Sequence, residues 1–165
     1  MPVPDRPVAN TTIDSEWGQA VHDYTFAPSG FRVTGNDTTT STSITQIAFD
    51  TAVDDPGGYV SVASNNATVP ADGAGLYLAS LLLYSTNGVD TNRTRGFIYV
   101  NGTEVRRNIE ENQTSGTITV GITTVVDLTA GDIITVHAQK VGSGSNLDVK
   151  VKDFFMIRLG AEIGA

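Results

Sequence analysis

The chain has 165 residues, a formal net charge of −8, 39% apolar residues and no cysteine. One hydrophobic core fills a chain of this length, and the acidic balance disfavours phosphate backbones and anionic lipid as direct partners. Without cysteine, a disulfide framework and a thiolate metal site are both excluded, so stability rests on packing.

Prolines at positions 2, 4 and 7 give the N-terminus an extended, polyproline-like character. No apolar run of the kind a secretory leader needs follows them, and none in the chain is long enough to span a bilayer. Thr12 or Asp14 can cap a helix in which Ile13, Trp17, Val21 and Tyr24 fall on one face. Gly18 weakens that helix, and Pro28 with Gly30 ends it. So short a helix is marginal alone, which makes its aromatic stripe an anchor for some other surface. Residues 1–30 are therefore read as an attachment or trimerisation arm, and 31–43, containing GNDTTTSTS, as a threonine-rich linker.

From residue 44 the period becomes two. Strands are predicted over Ile44–Phe49, Tyr59–Ala63, Ala67–Val69, Gly75–Ser85, Arg95–Val100, Glu104–Asn108, Thr117–Leu128 with a break near Gly121, Ile133–Lys140, Leu147–Val151 and Phe154–Leu159. Turn clusters such as DDPGG, PADGAG, TAGD and GSGSN separate them, and Asn101-Gly102 marks a tight hairpin. The class is all-β, an antiparallel sandwich or barrel spanning 44–160, with 161–165 as a tail.

Two segments are apolar on both faces. GLYLASLLLYS sets Leu76, Leu78, Ser80, Leu82 and Tyr84 against Tyr77, Ala79, Leu81 and Leu83, and DFFMIRL repeats the pattern. A strand of a lone sandwich has one wet face, so a second covering surface is expected, most economically another copy of the chain. Tyr77, Leu81, Leu83, Phe155 and Ile157 are the candidate interface residues.

Signs of catalysis are sparse. His22 and His137 are the only imidazoles, one on the predicted helix and one inside a strand, and neither has a nucleophile placed beside it by the sequence. GSGSN at 142–146 leads into a strand, unlike a phosphate loop. Asp50, Asp54 and Asp55 are the candidate ligands for a hard cation such as calcium, although solvated turn charges explain them as well. Glu110 and Glu111 are placed in a loop. The Asn-x-Ser/Thr triplets at Asn10, Asn36, Asn66, Asn92, Asn101 and Asn112 reflect threonine-rich composition. No enzyme activity and no cofactor are expected.

The order of several motifs carries a resemblance. Phe49 with GGY at 57–59, VP at 69–70 before GLY at 75–77, FIYVNG at 97–102, SGTITV at 115–120, LTAGDIITVHAQ at 128–139 and FFMIRL at 154–159 together resemble the globular head of the complement component 1q family and its tumour necrosis factor-like relatives. The turn between Pro70 and Gly75 is longer than the family pattern, and the collagen stalk is missing. The resemblance implies a ten-stranded jelly roll that associates as a homotrimer. The opening PDRPVANTTIDSEWGQAVHD also resembles the start of tailed-phage structural proteins. Together these imply a non-enzymatic virion protein, held to other virion proteins by its N-terminus and exposed on the particle. As a tail-associated adhesin or minor tail protein it would present segments such as Ser85–Thr94 and Glu110–Ser115 to a host glycan or protein. The alternatives are a capsid decoration or head-fibre protein, and a secreted complement-like signalling or binding module.

Overall fold

A computed structural model of the chain describes residues 29–88, 93–111, 116–142 and 146–160. The predicted arm and helix, with Ile13, Trp17, Val21, Tyr24 and His22, lie outside the described residues, as does the tail at 161–165. Among the described residues there is no helix. There are twelve strands: β1 (Gly30–Thr34), β2 (Thr38–Thr40), β3 (Thr45–Gln46), β4 (Thr51–Asp54), β5 (Val60–Ser61), β6 (Asn66–Thr68), β7 (Gly75–Gly88), β8 (Arg93–Val100), β9 (Thr103–Glu111), β10 (Gly116–Leu128), β11 (Ile133–Val141) and β12 (Leu147–Gly160). They form two antiparallel sheets of six strands each. The first runs β10-β7-β12-β1-β4 with β2 also on β12, and the second runs β5-β6-β11-β8-β9 with β3 also on β11. The arrangement is a jelly-roll sandwich.

The segment 31–43 is not a linker. Phe31 and Val33 are buried on alternate positions of β1, and Thr40 in β2 is buried with its hydroxyl donating to the Leu147 carbonyl at 3.2 Å. Threonine is β-branched and fits a pleated surface as readily as a turn, which is why the threonine run joins the sheet. The other differences concern strand ends. Thr51–Asp54 forms β4, a strand not predicted, Glu110 and Glu111 belong to β9, and β10 passes through Gly121 without a break. The hairpin between β8 and β9 forms as expected, with Asn101 (φ 51°) and Gly102 (φ 75°) both left-handed, the backbone a two-residue hairpin turn requires.

The two segments predicted near the C-terminus merge into one strand, β12, through a β-bulge at Val151–Asp153 opposite Leu83 and Leu82. A bulge adds one residue to one strand and so reverses the side-chain phase. Leu147, Val149 and Val151 point into the core before the bulge, and Phe154 and Met156 after it. Phe154 is the aromatic hub: its ring meets Phe31 edge-on at 5.4 Å and Phe49 at 6.2 Å, and Phe31 continues to Tyr59 at 5.7 Å.

Tyr77, Leu81 and Leu83 also lie in this core, each no more than 1% exposed. That corrects their assignment as interface residues. They belong to the inward parity of β7 and pack between the sheets of a single chain. The Tyr77 hydroxyl donates to the Gly73 carbonyl and shares a 3.1 Å hydrogen bond with Tyr59, and burial, then the Tyr59 hydroxyl, raise its pKa above the usual tyrosine value. Phe155 and Ile157 have the opposite parity and are half-buried on the outer side of the first sheet.

Candidate functional site

The outer side of the first sheet carries apolar side chains on three adjacent strands. Strand pairing sets its side chains in rows. Leu78 lies between Val125 of β10 and Ile157 of β12; Ser80 lies between Thr123 and Phe155, with Arg32 of β1 beyond; Leu82 lies between Gly121 and Asp153; Tyr84 lies between Thr119 and Lys150. Val125 is 52% exposed and Leu82 38%. Shallow hollows lie on either side of Phe155, one over Gly121 and the other over Gly30. At the polar end, the Lys150 ammonium sits 5.5 Å from the Tyr84 ring centre.

One ion pair interrupts the apolar rows. Arg32 donates from Nε to Asp153 Oδ1 at 2.8 Å and from Nη2 to Oδ2 at 3.1 Å, a two-pronged contact across β1 and β12. The hydrogen bond to this carboxylate, then its charge, raise the Arg32 pKa, so the guanidinium stays charged at any physiological pH. The bulge is what brings Asp153 to the outer face. Leu78, Leu82, Val125, Arg32, Asp153 and Gly121 are not among the interface residues assigned from sequence. The alternation in GLYLASLLLYS separates the two faces of β7 but does not say which is core, because both are apolar.

The three aspartates do not gather. Asp55 accepts backbone N–H groups of Tyr59 at 2.7 Å and Val60 at 2.9 Å, Asp50 accepts from Asn36 at 2.9 Å and Thr51 at 3.2 Å, and Asp54 faces Arg32 across the β1–β4 pairing. Among the described residues no three His, Asp or Glu side chains converge as a metal site would require. Asp55 shapes the turn before β5. Asp132 does equivalent work in the LTAGD turn, accepting the Thr129 N–H at 2.8 Å and the Asn101 amide at 2.7 Å. Burial acts to raise its pKa, but these hydrogen bonds outweigh it and the carboxyl is held below its ordinary value.

His137 lies on the outer side of the second sheet, with its ring 4.5 Å from Tyr99 and its Nε2 2.9 Å from the Thr135 hydroxyl. No carboxylate is among the ring's hydrogen-bond partners in the described residues. Burial lowers its pKa below the ordinary 6.5. The folded state thus prefers neutral imidazole, and the associated stability is complete above 6.5 and lost as pH falls through the folded value. We expect His137→Gln to flatten the fall in urea-unfolding free energy on acidification below pH 6.5; an unchanged slope would remove His137 as its source.

No protein-family model matches the sequence, and no curated protein matches it. Solved structures do. The globular domain of zebrafish complement 1qA protein superposes with a TM-score of 0.62 at 17% identity, covering 82% of this chain and 99% of that one. The chain has the complement 1q/tumour necrosis factor-like jelly-roll fold. Eiger TNF from S. frugiperda matches with a TM-score of 0.58 at 10% identity, over 83% of this chain and 96% of that one. Murine APRIL matches at 0.53 and 19% identity, over 76% and 98%. At these identities the likeness concerns fold, and it agrees with the motif order from Phe49 to FFMIRL.

Proposed function

We propose that this jelly roll is a non-enzymatic, self-associating knob, a homotrimer carried on the surface of a tailed-bacteriophage particle and contacting the host surface as a tail-associated adhesin. The observation that carries the self-association is the outer face of the first sheet, where Leu78, Leu82, Val125, Phe155 and Ile157 lie on adjacent strands with no layer of the described chain over Leu82 or Val125. A contiguous apolar patch of this kind marks an interaction site, and a rotation that closes after three copies buries it without leaving an open filament.

The two poles of the sandwich support a division of labour. The chain enters β1 beside the end of β12, where the Arg158 N–H donates to the Ser29 carbonyl at 2.8 Å. At the opposite pole, Gly88 meets Gly116, Arg93 meets Glu111 and Val141, and Thr86 meets Asp148. The described strand ends at Gly88, Arg93, Glu111, Gly116, Val141 and Leu147 therefore share one end. Ser29, where the described chain begins, lies at the other, as suits attachment at the base and presentation at the tip. The phage assignment rests on the N-terminal sequence resemblance.

Sedimentation equilibrium should give three times the chain mass, and a stable monomer would refute self-association. Deletion of residues 1–26 should leave a folded knob that no longer co-purifies with particles, and normal incorporation would refute the anchoring role. Antibody labelling of particles separates a tail position from the alternative, capsid decoration. The shared fold leaves a second reading, a secreted complement-like signalling or binding module, for which the chain would be absent from purified particles.

A further inference from the structure

The charge of the chain is not spread evenly over the two sheets. The strands of the second sheet hold Arg93, Arg95, Arg106, Arg107 and Lys140 against Glu104, Glu110 and Glu111, so it has five of the 10 basic residues and only three of the 18 acidic ones. This sheet is net positive while the rest of the chain is strongly negative. An anion repelled by the molecule as a whole is therefore steered to one sheet.

Pairing builds an aromatic and basic strip on the outer side of that sheet. Phe97 of β8 lies between Arg107 of β9 and His137 of β11, with Arg95 two residues before it and Tyr99 two after. Phe97 is 1% exposed and lies outside the core between the sheets. Its ring is 6.1 Å from that of Tyr99, which in turn is 4.5 Å from His137, so the half-buried Tyr99 ring is held by two aromatic neighbours. The donors of the two arginines are largely open. Arg32 directs its guanidinium to Asp153, and Arg158 directs its own to the carbonyls of Asp72 and Ala74. Among the described residues, Arg95 makes only a long contact, 3.4 Å from Nη1 to Gln139 Oε1, and Arg107 only a 3.5 Å approach of Nε to Glu104, with its side chain 62% exposed. A guanidinium fork matches a carboxylate, and the electron-rich face of a fixed ring suits the C–H groups of a sugar.

We propose that this strip of the second sheet binds a carboxylated sugar of the host surface, with Arg95 and Arg107 taking the carboxylate and Tyr99 carrying the sugar ring. The proposal rests on the adhesin reading above, names its ligand class and places the contact on the side wall of the knob instead of its tip. Its test uses the full chain, with oligogalacturonate and oligomannuronate as probes and maltohexaose as the neutral control. Isothermal titration calorimetry reports affinity, and amide chemical shifts report location.

At least one uronate should bind, shift amides of residues 95–99, 107 and 135–139, and bind less tightly as salt rises from about 50 mM to about 300 mM. Maltohexaose should bind about tenfold more weakly or not at all. Arg95→Gln/Arg107→Gln, which leaves the core between the sheets untouched, should keep the β circular-dichroism spectrum and bind the uronate about tenfold more weakly or worse. Tyr99→Leu should also weaken binding, but with its salt dependence retained, which separates the ring contact from the charge. No binding of either uronate, shifts confined to other surfaces, equal binding of maltohexaose, or undiminished binding by the folded double-arginine variant would each overturn the proposal. Failure of that variant to fold overturns it too, because the chain itself would then require the guanidinium groups. The adhesin reading is decided separately by the particle labelling and can stand where the sugar site falls.

Discussion

Replacing Phe154 with alanine should lower folding stability by about 3–5 kcal/mol, the range for removing a buried aromatic ring, and lower Tm by about 10 °C. The ring is fully buried and packs against Phe31 of the neighbouring strand β1 and against Phe49, so its removal leaves a cavity among large aromatic rings. Phe155, the next residue, is the control. It is half-buried on the outer face beside two open hollows, and Phe155→Ala should cost the isolated chain far less. Urea titrations of both variants at a concentration where the protein is monomeric test this. Equal losses would mean that the side-chain phase after the bulge is wrong.

A second large effect concerns assembly. Leu78 and Ile157 are paired neighbours on β7 and β12, both half-buried on the outer face. In Leu78→Asp/Ile157→Asp, two like charges face each other in water in the single chain but would be desolvated in a closed oligomer, at a cost of several kcal/mol per copy. The double variant should be a folded monomer by sedimentation and circular dichroism. Leu81→Asp, in contrast, places its carboxylate between the sheets and should abolish folding. A double variant that assembles like the wild type would move the interface away from this sheet.

The contrast between Leu78 and Leu81 shows how far the sequence could be read. Period-two alternation gave the long strands from residue 75 onward but missed β4 and overextended β3, and Asn101-Gly102 and LTAGD gave two turns whose physical basis is now visible in the Asn101–Asp132–Thr129 hydrogen bonds. Parity was legible but orientation was not, since leucine on both faces of β7 leaves nothing to break the tie. Tyr77 was the available clue, because its hydroxyl needs buried partners only if the inward face is the odd one. In β12 the extra residue at Lys152–Asp153 is a property of pairing with β7, and a single strand read alone shows only a confusing run of apolar residues. The aspartates failed as a metal set for a similar reason. Their spacing suggested proximity, but backbone donors and side chains from other segments had already claimed Asp50 and Asp55.

The position of β12 between β7 and β1 has a consequence for biosynthesis. A chain emerging from the ribosome can pair β7 with β10 as soon as both are out, but the sheet stays split, with β1 waiting, until the last strand is released. During that interval the greasy edge of β7 has no permanent partner. Any nascent product ending before Leu147 keeps this exposed edge indefinitely, so truncated chains should collect in inclusion bodies while full-length chains escape them.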